Sequence, residues 1–480
     1  MPNDSFAVTP LPIRAATLSA VTLLLALGAT PAVGAAQTVA SARPVAATPP
    51  DTTTAAAKPA TPPPPPAAAA AMPTIPITFF GEVRTRSEFD RPGGAVAADA
   101  FTYLRTRFGA RIDAAPGARI VLQIQDSRVL GAEGNTTTTS PDVLDLHQGY
   151  VELGAPWRGV GVALRAGRQE ISLANERLVG PVGWSNTGRS FDGARLTFAP
   201  QGAKPGTEAW TATLFGATVE ERGRRFGSST TSSTTTSTAK QPDHAVAGLF
   251  VSRALGRGAL EATVLYDGGA RYRAYDRADR LTLDARARTA RLLGVSAELE
   301  GALQVGSQRY ASAADTLDQR VHAWLLGARL GTPTAPARRA SAALGVDMLS
   351  GDAAPGDGRY GAFSTMFATN HPFYGLMDLF IDPAARTKDR GLVDALATST
   401  FALNPAVSLR ADVHHFSLAA GDTRPLGWEG DVILPVRVSS AASVELGYTL
   451  FRAERGAAFV GLGEDGKVRD WAYLQLRAGF

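Results

Sequence analysis

The chain contains no cysteine among its 480 residues, which excludes disulfide bonds, thiolate metal ligands and thiol nucleophiles. Lysine is scarce as well: five of the 48 basic residues are lysine, so 43 are arginine. Arginine differs from lysine because its planar guanidinium matches the paired oxygens of a carboxylate or a phosphate. The bias therefore has two interpretations, an anionic ligand or a GC-rich genome that favours arginine codons.

Long apolar runs are also missing after the N-terminus. The apolar run 15–27 is shorter than a helix that spans a membrane, and no later stretch approaches 18 consecutive apolar residues. Because Arg14 precedes this run and small residues follow it up to Ala36, residues 1–36 are predicted to be a secretory signal peptide. Residues 37–76 are rich in Ala, Pro and Thr, which predicts a disordered periplasmic arm before a third region, 77–480.

Sequence motifs of common enzyme classes are absent. The chain has no GxSxG elbow, HExxH motif, P-loop or dinucleotide fingerprint. His414 and His415 adjoin Asp412, but neighbours on a strand point to opposite faces, so the two histidines are not expected to chelate together. The sequence therefore predicts no enzyme, no catalytic residue, no cofactor and no metal. Calcium binding by Asp347, Asp352 and Asp357 is left open. It is disfavoured because the spacing of these acids does not fit an EF-hand.

The chain does contain strand-like alternation from residue 77 to its end. Val162 and Leu164, for example, alternate with Ala163 and Arg165, which is the two-residue period of a strand. Most segments have about ten residues, the length that a tilted strand needs to cross a bilayer. Eighteen segments are predicted: 77–90, 101–114, 118–128, 143–154, 160–171, 191–199, 209–220, 243–254, 259–267, 289–300, 303–310, 319–331, 340–350, 391–402, 406–416, 428–438, 443–453 and 470–480.

The connections between these segments alternate in length. Tight turns such as AAPG after Asp113, EG at Glu300 and NP at Asn404 alternate with long connections at 129–142, 172–190, 221–242, 268–288, 351–390 and 454–469. The last strand alternates to a terminal Phe480, as in the C-terminal signal that the barrel assembly machinery reads. The fold class predicted is all-β: a transmembrane antiparallel β-barrel of about 18 strands, with short periplasmic turns and long extracellular loops.

Arginines share strand faces with other polar residues, opposite leucine and phenylalanine. An arginine facing lipid at mid-bilayer would cost about 2–4 kcal/mol, so the arginine face is expected to line the lumen. Unpaired guanidinium groups there would attract anions, whereas paired ones would only stiffen the wall. The predicted lumen set on the strands is Arg84, Arg86, Arg105, Arg107, Arg111, Arg165, Arg195 and Arg410.

Several blocks resemble the alginate export family of outer-membrane barrels. They are TYLRTRFGARIDA at 102–114, VLQIQDSRVLG at 121–131, DLHQGYVEL at 145–153, the block from LRAGRQEISLANERLVG to FDGARLTF at 164–198, and SGD…FSTMFATNHPFYGLMDLFID at 350–382. Residues 209–340 resemble the family only in their strand-like pattern, without a matching block of sequence. The resemblance implies an eighteen-stranded barrel with an arginine-lined lumen. It also favours an inward fold of the loop 172–190, which would add Arg177 and Arg189 to the lumen set.

The function that this resemblance implies is passive conduction of an anionic, uronate-rich, alginate-like polysaccharide across the bacterial outer membrane. The expected partners are the polysaccharide, outer-membrane lipid, the barrel assembly machinery and periplasmic polysaccharide-synthesis proteins. Nucleic acid is not expected, and the barrel is expected to be a monomer. Two alternatives stay open: an anion-selective porin for small organic acids or oligosaccharides, and an outer-membrane barrel enzyme.

Overall fold

A computed structural model describes residues 75–92, 97–130, 144–201, 209–220, 244–272, 275–292, 294–311, 316–332, 339–422 and 424–480. The predicted signal peptide and nearly all of the predicted arm lie outside these ranges. None of the helices within them is long and apolar enough to cross a membrane.

Antiparallel strands form one closed barrel. Each long strand pairs with its neighbours in the chain, and the last pairs with the first, through contacts such as Arg84 with Arg477. Eighteen strands form the wall, as predicted, and β14 is a two-residue strand inside a loop. The strands are β1 Ile77–Arg91, β2 Asp99–Ala115, β3 Ala118–Leu130, β4 Asp145–Trp157, β5 Val160–Gln169, β6 Phe191–Pro200, β7 Trp210–Glu220, β8 His244–Leu255, β9 Gly258–Tyr272, β10 Tyr275–Leu292, β11 Val295–Ala311, β12 Thr316–Gly331, β13 Ala340–Leu349, β14 Arg359–Tyr360, β15 Leu392–Ala402, β16 Ser408–Leu418, β17 Pro425–Arg437, β18 Ala442–Ala453 and β19 Val468–Gly479.

The predicted strand 289–300 is wrong, because β10 ends at Leu292 and β11 begins at Val295, and two predicted connections are wrong as well. Residues 268–288 are not a long loop, because β9 and β10 extend through almost all of them. The chain does not turn at Glu300, which lies within β11 and pairs with Arg286. Within β10, Arg280, Arg286 and Arg288 find carboxylate partners on β9 or β11. Arg286, for example, bonds to Glu261 at 2.6 Å and to Glu298 at 2.7 Å.

The two faces of the wall differ in chemistry. Phe108 is 46% exposed and Leu164 43% exposed on the outer face, whereas Arg105 on the inner face is 3% exposed. A band of exposed aliphatic and aromatic side chains suits lipid, because alkyl groups need no hydrogen-bond partners there. The charged face is buried only because other parts of the chain fill the interior.

Two loops fill that interior: 170–190, between β5 and β6, and 350–391, between β13 and β15. They contact each other through a bridge between Val179 and Phe367. Their apolar side chains, such as Phe380, pack against inward residues of the wall such as Leu265 and Leu325 to form a core. Burial of this apolar surface holds both loops within the barrel. The exposed tip at 353–357 lies outside this core.

Candidate functional site

Two buried arginines of neighbouring strands hold the loop 170–190. Arg84 of β1 donates to the carbonyl oxygens of Gly183 at 2.7 Å and Ser185 at 2.9 Å. Arg105 of β2 donates to the same two carbonyls at 3.1 and 2.9 Å, and it also bonds to Glu82. Arg84 has no carboxylate partner among the described residues. The two guanidinium groups therefore fix the loop that narrows the barrel.

Trp184, at the centre of this loop segment, is held on both faces. The Arg86 guanidinium lies 3.7 Å from the centroid of its ring. His371 of the second loop stacks on the ring at 4.0 Å between centroids, with an interplanar angle of 7°. Two groups so close to one ring must lie on opposite faces. Arg86 also donates to the Trp184 carbonyl at 2.6 Å, and His371 bonds to Asp378 at 2.8 Å, so this sandwich is fixed from both loops and the wall.

The base of the same loop has two further anchors. Arg107 of β2 bonds to Gln125 at 2.7 Å and to Glu170 at 3.3 Å. Arg189 donates to the carbonyl of Phe367 and to that of Ala368, the latter at 3.3 Å. Burial lowers the pKa of Arg189 to about 10. Arg107 therefore joins the first loop to the wall, and Arg189 joins the two loops to each other.

Arg177 is the most deeply buried of the predicted site residues, at 1% exposure. Its guanidinium lies 3.0 Å from a Glu300 oxygen and 3.1 Å from an Asp347 oxygen. It also donates to the Tyr374 hydroxyl at 3.1 Å and lies 4.1 Å from the Phe373 ring centroid. Burial alone would lower the pKa of Arg177, but Tyr374 and the two carboxylates raise it above its usual value. This side chain is a charged centre of the interior core and does not reach open solvent.

The other predicted arginines are more accessible. Arg165 bonds to Glu152 at 2.9 Å, and the side chain of Arg111 is 44% exposed, with an Asp113 oxygen at 3.5 Å. Arg410, with its side chain 43% exposed, bonds to Asp412 at 2.7 Å. Among the described residues, Arg195 has no hydrogen-bond or ion-pair partner. Arg195 is thus the predicted strand arginine whose charge is least neutralised by direct contacts.

Three cavities follow one another along the wall formed by β1–β3 and β15–β19. An outer cavity of about 520 Å³ lies at the long-loop end, and a middle cavity of about 300 Å³ lies below it. Trp184, His371 and Leu376 line both, so they form the partition between them. A mouth of about 1330 Å³ opens at the short-turn end and shares Pro435 and Glu445 with the middle cavity. The cavities form a path that the Trp184 sandwich interrupts.

The family model for alginate export matches residues 76–426. The chain belongs to the alginate export family. No curated protein sequence matches it significantly. Three solved outer-membrane structures share the fold, and each alignment covers 84% of this chain. OccK8 (OprE) of Pseudomonas aeruginosa has a TM-score of 0.51, 11% identity and 98% of its own chain covered, and OccK2 (OpdF) of the same organism, in complex with glucuronate, has a TM-score of 0.50, 12% identity and 96% covered. OccAB2 of Acinetobacter baumannii has a TM-score of 0.51, 10% identity and 98% of its own chain covered.

This alginate export family barrel is therefore a channel of the bacterial outer membrane, and its family and structural neighbours are transport porins rather than enzymes. Its lumen holds an aromatic cluster that the sequence did not single out. Tyr473 lies 5.0 Å from Trp184 and 4.9 Å from Trp471 between ring centroids. A Cβ atom at Gly447 would lie 1.9 Å from the Tyr473 ring, so the absent side chain leaves space for that ring.

This barrel also carries an acidic cluster in the wall of its middle cavity, on three adjacent strands. Asp412 and His414 of β16 and Asp431 of β17 all line this cavity. Asp394 of β15 bonds to His414 at 2.9 Å, and His415 points outward to pack on a tryptophan. The histidines thus lie on opposite faces, as predicted. Strand spacing alone could not reveal the cluster, because it depends on the register between strands.

The three acids considered for calcium form no metal-binding group among the described residues, and Asp347 lies within β13 rather than in a loop. Asp347 lies in the buried ion pairs with Arg177 and Arg329, whereas Asp357 is exposed at the loop tip. Asp352 accepts the backbone N–H of Ala354 at 3.1 Å. Their local bonds account for these carboxylates without a shared ion.

Proposed function

We propose that this channel passively conducts an anionic, uronate-rich polysaccharide through an arginine-lined path on one side of its lumen. The observation that carries the proposal is the series of three cavities, each of which has arginine in its lining beside carboxylates that neutralise part of its charge. Arg86 and Arg469 line the outer cavity, Arg410 the middle cavity, and Arg437 and Arg477 the mouth. Arginines spaced along a path can bind successive carboxylates weakly, so that a polymer enters and still slides.

The comparisons support the same class of cargo. Alginate export is the description of the matching family, and glucuronate, a uronate, is the ligand in the OccK2 complex. Of the aromatic cluster, Trp471 lines the outer cavity and Tyr473 the middle cavity, so their rings lie beside the arginines where sugar rings would pass. Periplasmic polysaccharide-synthesis proteins as partners, a monomeric state, a signal peptide at 1–36 and an arm at 37–76 belong to this proposal.

The Trp184 sandwich is the closed gate of the proposed path. Its ring separates the outer and middle cavities, so a polymer can pass only if Trp184 or His371 moves. The two side chains belong to different loops, and a shift of either loop would separate them. Conduction then depends on a rearrangement of the interior loops within a rigid wall.

A second candidate, an anion-selective porin for small organic acids or oligosaccharides, is favoured by the size of the middle cavity. About 300 Å³ lies at the lower end of the range for small-molecule sites. A small anion would need a smaller displacement of the gate than a polymer would. Binding of a monomeric uronate without binding of longer oligomers would favour this candidate.

Single-channel recording in planar bilayers tests the proposal, with wild type, Trp184→Ala and Trp428→Ala compared. Trp428 packs on His415 on the outer face at 4.4 Å, so it is a matched tryptophan–histidine pair outside the path. We expect anion selectivity, block by uronate oligomers, and a several-fold higher conductance for Trp184→Ala only. A cation-selective wild type that uronate oligomers do not block would refute the anionic cargo. Equal conductance of Trp184→Ala and wild type would refute the gate.

A further inference from the structure

The strands β15–β17 bury more carboxylates than their partners neutralise. Asp394, Asp412, Glu429 and Asp431 are each at most 4% exposed. Arg410 pairs with Asp412, and His414 bonds to Asp394. The Oε2 atom of Glu429 and the Oδ1 atom of Asp431 have no hydrogen-bond partner. A buried carboxylate without a partner is costly, so an added cation would stabilise this cluster.

The histidine of this cluster has the arrangement of a metal ligand. Its Nδ1 lies 2.9 and 3.0 Å from the two oxygens of Asp394, so Nδ1 carries the proton and donates it. Nε2 then presents a lone pair on the other side of the ring, where an Asp431 oxygen lies 3.8 Å away. A carboxylate that orients an imidazole in this way is the usual outer shell of a histidine bound to a metal.

The distances suit one small cation. Ligand atoms of Asp412, His414 and Asp431 all lie within 4.8 Å of one another. Ligands at about 2.0–2.2 Å from a tetrahedral ion are about 3.3–3.6 Å apart, so sub-ångström side-chain shifts suffice. Asp412 already accepts from Thr398 and Arg410, but a carboxylate has about four lone-pair positions and can also bind a metal. The middle cavity beside these residues gives an ion access and leaves room for a water ligand.

We propose that Asp412, His414 and Asp431 bind a divalent transition-metal ion of the zinc type in the wall of the middle cavity, with Asp394 orienting His414. An imidazole nitrogen with two carboxylates suits zinc-type ions, whereas calcium and magnesium prefer oxygen ligands alone. The Asp431 side chain is 2% exposed, its Oδ2 lies 3.8 Å from His414 Nε2 and its Oδ1 has no hydrogen-bond partner, so this carboxylate has lone pairs free for a cation. This inference does not depend on which cargo the channel conducts.

Metal analysis of the refolded barrel, purified without a histidine tag, tests the site. Wild type, His414→Gln, Asp431→Asn and the matched outer-face control His415→Gln are equilibrated with zinc and passed through gel filtration before elemental analysis. We expect one zinc per barrel for wild type and His415→Gln, and less than one-tenth for the other two. Wild type without zinc, or His414→Gln with as much zinc as wild type, would overturn the proposal.

Two further measurements keep the test independent of folding defects. Heat-modifiable mobility in gel electrophoresis checks that each variant is folded, and cobalt(II) absorption of the wild type gives a spectroscopic signature of a nitrogen-containing site without any substitution. Asp394→Asn should keep the stoichiometry in excess zinc and weaken affinity by about 10–100-fold, the usual effect of losing an outer-shell carboxylate. Stoichiometric binding of calcium in preference to zinc would contradict the imidazole-centred site.

Discussion

Replacing Arg177 with methionine should destabilise the interior core strongly. The side chain is 1% exposed and contacts two carboxylates that are also buried, Glu300 at 3.0 Å and Asp347 at 3.1 Å. Methionine keeps the length and apolar stem of arginine but removes the charge. The cost therefore depends on which carboxylate is left without a cation.

The remaining partners limit that cost to one broken pair. Asp347 keeps Arg329, whose guanidinium lies 2.8 Å away, whereas Glu300 keeps, among the residues that the structure describes, only the neutral amide of Asn175 at 2.8 Å. Breaking one buried ion pair costs about 3–5 kcal/mol because the other charge is left uncompensated. Since Tyr374 and both carboxylates raise the pKa of Arg177, the wild-type side chain stays charged and the loss should not depend on pH near neutrality.

The assay is urea unfolding of the refolded barrel in detergent, followed by tryptophan fluorescence and by heat-modifiable mobility. Arg177→Met should lose about 3–5 kcal/mol of unfolding free energy, and the double variant Arg177→Met with Glu300→Gln should recover most of it, because the stranded charge is then gone. A loss below about 1 kcal/mol, or a double variant with additive losses, would refute the argument that a single stranded carboxylate sets the cost.

Three other predictions address the wall, the seam and the topology. Arg437→Glu, in the lining of the mouth, should move the reversal potential towards cation selectivity in a folded barrel, because it reverses a charge on the proposed path. Leu164→Arg on the outer face should impair folding, by about 2–4 kcal/mol at mid-bilayer, and an unfolded Arg437→Glu beside a normal Leu164→Arg would invert the faces. Deleting Phe480 removes two backbone hydrogen bonds to Gly81, of 3.1 and 3.2 Å, where the last strand pairs with the first. The deletion should therefore lower the amount of heat-modifiable, folded barrel in outer-membrane fractions, and an unchanged amount would contradict this. Gly356→Cys, in the exposed loop tip, should react with an impermeant maleimide on intact cells while Asn404→Cys in a short turn stays protected, and the opposite pattern would invert the barrel.

The wall was predictable from the sequence because its signals are local. Two-residue alternation identifies a strand and its faces, and the alternation of long and short connections indicates an even-numbered barrel. The same local signals failed at 268–288, where charged residues of β10 pair with carboxylates of β9 and β11. Ion pairs between strands depend on register, which the sequence of one strand does not contain.

The interior was less predictable for the same reason. The sequence placed Arg84 and Arg105 on one face, but not that both donate to carbonyls of one loop about 80 to 100 residues away. The inward position of 350–391 and its contact with Trp184 through His371 depend on packing between two loops. The acidic cluster of β15–β17 arises only when three strands are aligned.

The three cavities lie on one side of the barrel, so the amino-acid sequences of its two sides are under different constraints. None of the described residues that line these cavities falls within 209–340, the stretch that matches the family only in pattern. That stretch instead supplies β7–β12 and the wall beside the interior core. Strands there need only preserve the alternation of inward and outward residues, the register and the volume of the core. Their other residues can change without altering the residues that line the cavities. A chimaera that exchanges 209–340 with another family barrel should therefore retain the selectivity of the remaining chain.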